Sequence, residues 1–139
     1  MTAIPRLETS RLILRQHNPE DFEALHDMWR EPAVYRYIIG RPSAREEAWS
    51  RLLRYAGHWT LLGYGYWVVE ERATGDYIGE MGFADFHRDI DPPLDDRPEL
   101  GWALRSEVHG KGHATEALRA ITAWGDAHFA GKETAAIIA

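Results

Sequence analysis

The sequence predicts a mixed α/β fold of the α+β type, a mostly antiparallel sheet flanked by helices in the order β-α-α-β-β-β-α-β. Three features predict it. Two segments, near residues 18 and 43, carry a helix-start signal followed by apolar residues at helical spacing. Between residues 63 and 104 come three strand-like runs, the first two joined by a short turn. A glycine-punctuated turn then leads into a third amphipathic helix and a last apolar run. Such a β-α-β unit should hold a parallel pair with a right-handed crossover.

In chain order, residues 11–15 (RLILR) read as a short strand with three apolar residues between charges. Asn18 can cap a helix, Pro19 suits its first position, and Glu20 and Asp21 favour its positive end. Phe22, Leu25 and Trp29 then share a face, and Glu31-Pro32 should end that helix. Ser43 with Glu46 reads as a capping box for a second helix burying Trp49, Leu52, Leu53 and Ala56. Residues 63–71 (GYGYWVVEE) are aromatic and β-branched, so a strand. Residues 73–76 turn, and residues 77–84 return as a hairpin. Prolines break residues 85–98 into a loop. Residues 99–104 (ELGWAL) form a strand, and residues 114–129 a helix whose apolar face holds Ala117, Leu118, Ile121, Trp124 and His128. Residues 133–139 read as the final strand.

Composition limits the function. The chain has 139 residues, the length of one domain (1–139), and a net charge of −6. That sign opposes non-specific nucleic-acid binding, which needs a basic face. The absence of cysteine excludes a disulfide framework and any Cys-ligated metal. No apolar run reaches membrane-spanning length and no secretory leader opens the sequence, so a cytoplasmic protein without membrane contact is expected. The stretch from Asp85 to Glu99 holds six acids and two arginines, a net −4. It could attract a cationic substrate or be a solvated loop. The apolar residues 134–139 stop without a turn or cap, as expected of a chain cut inside a domain, against the plain reading of a short strand docked at the sheet edge.

The most informative stretch is residues 99–117 (ELGWALRSEVHGKGHATEA). A strand passes through a turn with Gly110 and Gly112 into a helix whose first amides lack intrahelical partners, a ready phosphate site. Lys111 adds a positive charge. The residues fit neither a Walker loop, because Gly112 follows Lys111, nor a dinucleotide fingerprint, because position 115 is Thr. Taken alone, the loop could equally be a ligand-free glycine turn. His109 and His113 lack a third ligand in evident spacing, so no metal is expected.

In its surroundings this stretch resembles the GNAT N-acetyltransferase superfamily, and most closely the ribosomal-protein N-terminal acetyltransferases of the RimJ/RimL type. The superfamily's Gln/Arg-x-x-Gly-x-Gly/Ala loop falls on residues 109–114, with His109 in place of Gln or Arg. Thr115-Glu116-Ala117 also matches. ETSRLILRQHNPEDFEAL (residues 8–25), EPAVYRYI (31–38), YIGEMGF (77–83) and ELGWAL (99–104) resemble the family's successive elements. The resemblance therefore spans the chain, short of the family's last helix and two strands.

The resemblance implies an acetyl-CoA-dependent N-acetyltransferase that passes acetyl to a primary amine, a protein N-terminus or a small molecule, by direct attack on the thioester. It places the diphosphate on the backbone amides of Gly110, Lys111, Gly112, His113, Ala114 and Thr115. His109 would lie beside the cofactor, and the pantetheine arm would run along Trp102, Ala103 and Leu104. An amide near Ala103 or Leu104 would stabilise the oxyanion. Glu99 is the candidate base, against the plain reading of a glutamate at a strand entry. Tyr35 and Tyr37 fall where the branch builds its acceptor pocket, although aromatics at such spacing also serve as core, the role expected of Trp29. No tyrosine matches the family's general acid. A monomer or homodimer is expected, and a non-catalytic acyl-CoA-binding domain is the alternative on the same scaffold.

Overall fold

A computed structural model describes residues 4–91, 93, 97–130 and 132–136. Six strands form one sheet in the order β1 (Leu7–Glu8), β2 (Leu12–Arg15), β3 (Tyr66–Glu71), β4 (Tyr77–Ala84), β5 (Glu99–Leu104) and β6 (Ala135–Ala136). Every neighbouring pair is antiparallel except β5 and β6, which are parallel. This is the mixed, mostly antiparallel sheet the sequence predicts, and β4 and β5 occupy the predicted residues. The last strand is seen only at Ala135–Ala136; residues 137–139 of the predicted run, like Asp95 and Asp96 of the acidic loop, lie outside the described residues.

One face of the sheet carries α1 (Phe22–Met28), the short α2 (Pro32–Tyr35) and α3 (Arg45–Leu62). Its core gathers Leu25, Met28, Trp29, Leu52, Tyr55, Tyr66, Val68, Tyr77 and Ala103. The opposite face carries α4 (His113–Phe129) over Leu12, Leu14, Trp67, Val69, Met81, Phe83 and Leu104. β4 sits at the centre and is buried along its whole length, as a strand covered on both faces must be. A register shift between Val69 and Glu70 lets Tyr77 serve the first core and Ile78 the second.

Several local expectations change. Asn18 makes no side-chain cap; its own N–H donates to Asp21 Oδ2 (2.8 Å), and a 3-10 turn over Pro19–Asp21 precedes α1. Pro32 opens α2 rather than only closing the preceding helix, because its fixed φ suits a first helical position. α3 starts one residue later than the Ser43 box implies: Glu47 accepts the Ala44 N–H at 3.0 Å. Ser43 is instead buried, and its carbonyl accepts His26 Nε2 at 3.0 Å. The buried stripe of α3 is Ala48, Leu52, Tyr55 and His58, while Trp49, Leu53 and Ala56 are exposed. His128 is also exposed, stacked on Trp124 with ring centroids 4.3 Å apart.

Candidate active site

The site is built where β5 leaves the sheet. β6 pairs with β5 at Glu99 and Leu100, and among the described residues no strand lies beside the rest of β5 on that side. The direction of each peptide group follows from the ladder. Arg105 N–H donates to Ile78 O (2.8 Å) on β4, while Pro98 O accepts Ala135 N–H (3.0 Å) on the other side. Alternate residues of an antiparallel strand face the same partner. Gly101 and Ala103 therefore turn their peptide groups to β4, and Trp102 and Leu104 turn theirs to the opposite side, where β6 begins. Of the two amides offered for an oxyanion, Ala103 is consumed by the β4 ladder and Leu104 points away from it. The Leu104 carbonyl is closed off by His109, whose Nε2 donates to it at 2.7 Å.

Side chains divide by the same alternation. Leu100, Trp102 and Leu104 lie toward α4, with Trp102 partly exposed, and Glu99, Gly101 and Ala103 lie toward α1 and α3. Gly101 is required because the Tyr66 hydroxyl lies over it; an added Cβ would stand 2.0 Å from that oxygen. Burial, with the nearby charges of Glu80 and Glu99, pushes the Tyr66 phenol well above its usual range, so it remains a proton donor. Nothing in the spacing of the sequence flags Tyr66 as a neighbour of Glu99.

Glu99 is 5% exposed, so it is not a solvated strand-entry glutamate. Both its oxygens are held by Arg88, at 2.6 Å from Nε and 2.9 Å from Nη2. A pocket of about 160 Å³ opens beside the pair, lined also by Asp85, Phe86, His87 and Arg97. The described part of the acidic loop thus directs an arginine at the candidate base. Tyr35 is partly buried against the α1–α3 core, Tyr37 is 71% exposed, and Trp29 is buried with its Nε1 donating to Glu80 Oε1 at 2.5 Å.

After β5 the chain makes a 3-10 turn (Ser106–Val108) and enters the loop at Gly110 and Gly112, whose φ angles are +76° and +84°. Those angles, more than crowding, demand glycine: an added Cβ meets nothing within 4 Å at Gly110 and only an Arg11 nitrogen at 3.4 Å at Gly112. Gly112 is the N-cap of α4 and no side chain caps that end. The first amides of a 17-residue helix, Gly112's own and those of His113, Ala114 and Thr115, are left for an anion. The His113 side chain does not join them; it is buried, with Nε2 3.1 Å from Glu71 Oε2. Lys111 is exposed.

Two clasps fix this loop, and the sequence reading contains neither. Glu31 receives the Ser106 N–H (2.9 Å), the Ser106 hydroxyl (2.7 Å) and Arg105 Nη1 (3.2 Å). Glu116 receives the Arg11 N–H (2.9 Å), Arg11 Nε (2.7 Å) and the Thr9 hydroxyl. The only sequence trace of these ties is that their members fall inside the segments carrying the family resemblance. Among the described residues no three His, Cys, Asp or Glu side chains gather to hold a metal, and no helix is long and apolar enough to cross a membrane.

A strand whose outward-turned peptide groups lead into an uncapped, glycine-shaped helix start fits an acyl-CoA. The family model described as Acetyltransferase (GNAT) domain matches residues 11–139. The chain belongs to the GNAT acetyltransferase family. The uncharacterized N-acetyltransferase YoaA of Bacillus subtilis (strain 168) is 31% identical over 125 residues, covering 87% of this chain and 66% of YoaA. This chain thus spans about two thirds of the length of such relatives. Among GNAT structures, one assigned to the family from Bordetella pertussis superposes with a TM-score of 0.86 at 29% identity, over 98% of this chain and 80% of its own. RimL, a ribosomal L7/L12 α-N-protein acetyltransferase solved with coenzyme A, shares the fold at a TM-score of 0.65 and 16% identity, over 84% of this chain and 64% of RimL.

Proposed function

We propose that this GNAT protein is an acetyl-CoA-dependent N-acetyltransferase that passes acetyl directly to a primary amine, a protein N-terminus or a small molecule. A place in the RimJ/RimL-type branch and work in the cytoplasm belong to the same proposal. The observation that carries it is the run from the peptide groups of Trp102 and Leu104, which turn away from β4, to the uncapped amides around Gly112. The strand offers pairing groups to an amide-rich arm, and the helix start offers donors to a diphosphate.

Each residue then has a task. The Leu104 N–H points where charge develops on the thioester oxygen, and one such donor contributes about 3 kcal/mol. Glu99 accepts the amine proton, directly or through water, once Arg88 yields a carboxylate oxygen. An α-amino group, with a pKa of about 7.8, needs less of this help than a lysine at about 10.4. Tyr35 and Tyr37 border the acceptor. The closed Arg88–Glu99 pair also favours a second reading, an acyl-CoA-binding domain without turnover.

Calorimetric titration with acetyl-CoA tests the assignment. Wild type should bind, and Gly112→Asp should bind roughly tenfold or more weakly, through its side chain at positive φ and a negative charge at a phosphate site. Equal affinity would remove the loop from the site. Thiol release in the presence of an amine panel then separates turnover from mere binding.

A further inference from the structure

The phosphate-loop residues come from one short stretch, yet the loop is tied to a segment about a hundred residues earlier. Arg11, at the entrance to β2, reaches both the loop and the first turn of α4. Its Nη1 donates to the Lys111 carbonyl at 3.1 Å, between the two left-handed glycines. Its Nε and backbone N–H are held by the two oxygens of Glu116, at 2.7 and 2.9 Å. Its Nη2 lies 3.4 Å from where a Cβ of Gly112 would be. The guanidinium plane is therefore set by Glu116 on one edge and the loop carbonyl on the other.

We infer that Arg11, locked by Glu116, is a positioning residue for the cofactor loop, and that it presents Nη2 beside Gly112 to the phosphate-bearing half of the acyl donor. This rests on the acetyl-CoA assignment above. The loop passes through two residues at positive φ into a helix with no side-chain cap, and Arg11 ties the carbonyl between those glycines to the first turn of that helix. Glu116 is suited to hold Arg11 there: burial alone would raise its pKa, but the bonds from Thr9 and Arg11 outweigh burial and hold it at about 2, so it stays ionised at neutral pH. A planar fork can bridge a carboxylate and a carbonyl at once, which a lysine ammonium does not reproduce.

The test measures coenzyme A and pantetheine binding by calorimetry, thermal melting, and hydrogen exchange of loop amides in the ligand-free protein, for wild type, Arg11→Gln, Arg11→Lys and Glu116→Gln. Coenzyme A affinity should fall roughly tenfold in Arg11→Gln, the loss expected for a charge-assisted hydrogen bond, with pantetheine affinity unchanged. Arg11→Lys should recover only part of it, and amides 110–115 should exchange faster in both while those inside α4 keep their protection. Glu116→Gln, which keeps an acceptor for Thr9 and the Arg11 N–H, should show a smaller loss of the same kind and gives the answer if Arg11→Gln does not fold. Unchanged coenzyme A binding, equal loss of coenzyme A and pantetheine, or full rescue by lysine would overturn the inference alone. A wild-type protein that binds neither ligand would overturn the acetyltransferase assignment with it.

Discussion

The two faces of the sheet are built on different principles. Beneath α4 the packing is apolar and aromatic: Trp59, Trp67, Phe83, Trp124 and Phe129 meet edge to face at centroid distances of 4.9–5.8 Å. Beneath α1 and α3 the core is threaded with polar groups. Glu80 is fully buried with one oxygen unpartnered, Arg51 lies 3.8 Å from the Trp29 ring centroid, and His17 sits among Tyr55 and Tyr77. Burial raises the Glu80 carboxyl against the pull of Arg51 and its hydrogen bonds. Incompletely paired buried polar groups cost stability. They lie on the face that also carries Glu99, whereas the α4 face buries mostly apolar side chains, with His113 at its edge.

Three experiments probe that contrast, beginning with the largest effect. Trp67→Ala should destabilise the protein by about 3–5 kcal/mol in denaturant unfolding, since it opens the aromatic cluster and leaves Pro5 O without its 2.7 Å donor. A loss below about 1 kcal/mol would show that the α4 face does not dominate stability. On the other face, Glu99→Gln should lower kcat by about 100-fold at neutral pH, with partial recovery at higher pH where the amine is already neutral. It should lower the melting temperature less than Trp67→Ala does, because the Arg88 head group stays partly in solvent. A flat rate across pH would remove Glu99 as base.

The smallest effect is a pH dependence. Burial lowers the His17 pKa from 6.5 to about 4, against the opposing charge of Asp21. Below 6.5 the unfolded chain binds a proton that the folded chain refuses, so this contribution is complete above pH 6.5 and drains away as pH falls toward 4. Unfolding free energies between pH 7 and 4 should therefore decline by about 1–3 kcal/mol through this group, and His17→Phe should flatten the decline. An equally steep profile in the variant would assign the loss to other groups.

Much of the fold was legible because it depends on local pattern. The β4 and β5 strands matched residue for residue, since alternation and flanking turns are read along the chain. The α3 stripe was not: hydropathy selected Trp49, Leu53 and Ala56, whereas the helix buries Ala48, Tyr55 and His58. The surface below α3 contains Glu80 and Tyr66, so it accepts polar partners that a hydrophobicity pattern rejects. At the site, Gly110, Gly112 and Glu99 could be picked out by residue type and position. Arg88, Tyr66, Arg11 and Glu116 could not, because each acts on a segment remote in sequence or in another element.

By itself, the sequence determined the mixed sheet, the order of its elements and a glycine-shaped turn before the last helix. Those follow from periodicity, β-propensity and backbone freedom, which are properties of neighbouring residues. Only the tertiary structure decided which peptide groups of β5 are spent on β4 and which turn away from it, that an arginine closes over Glu99, and that the loop is braced from the start of β2. Those depend on strand register and on side chains meeting across many residues, which no local pattern encodes.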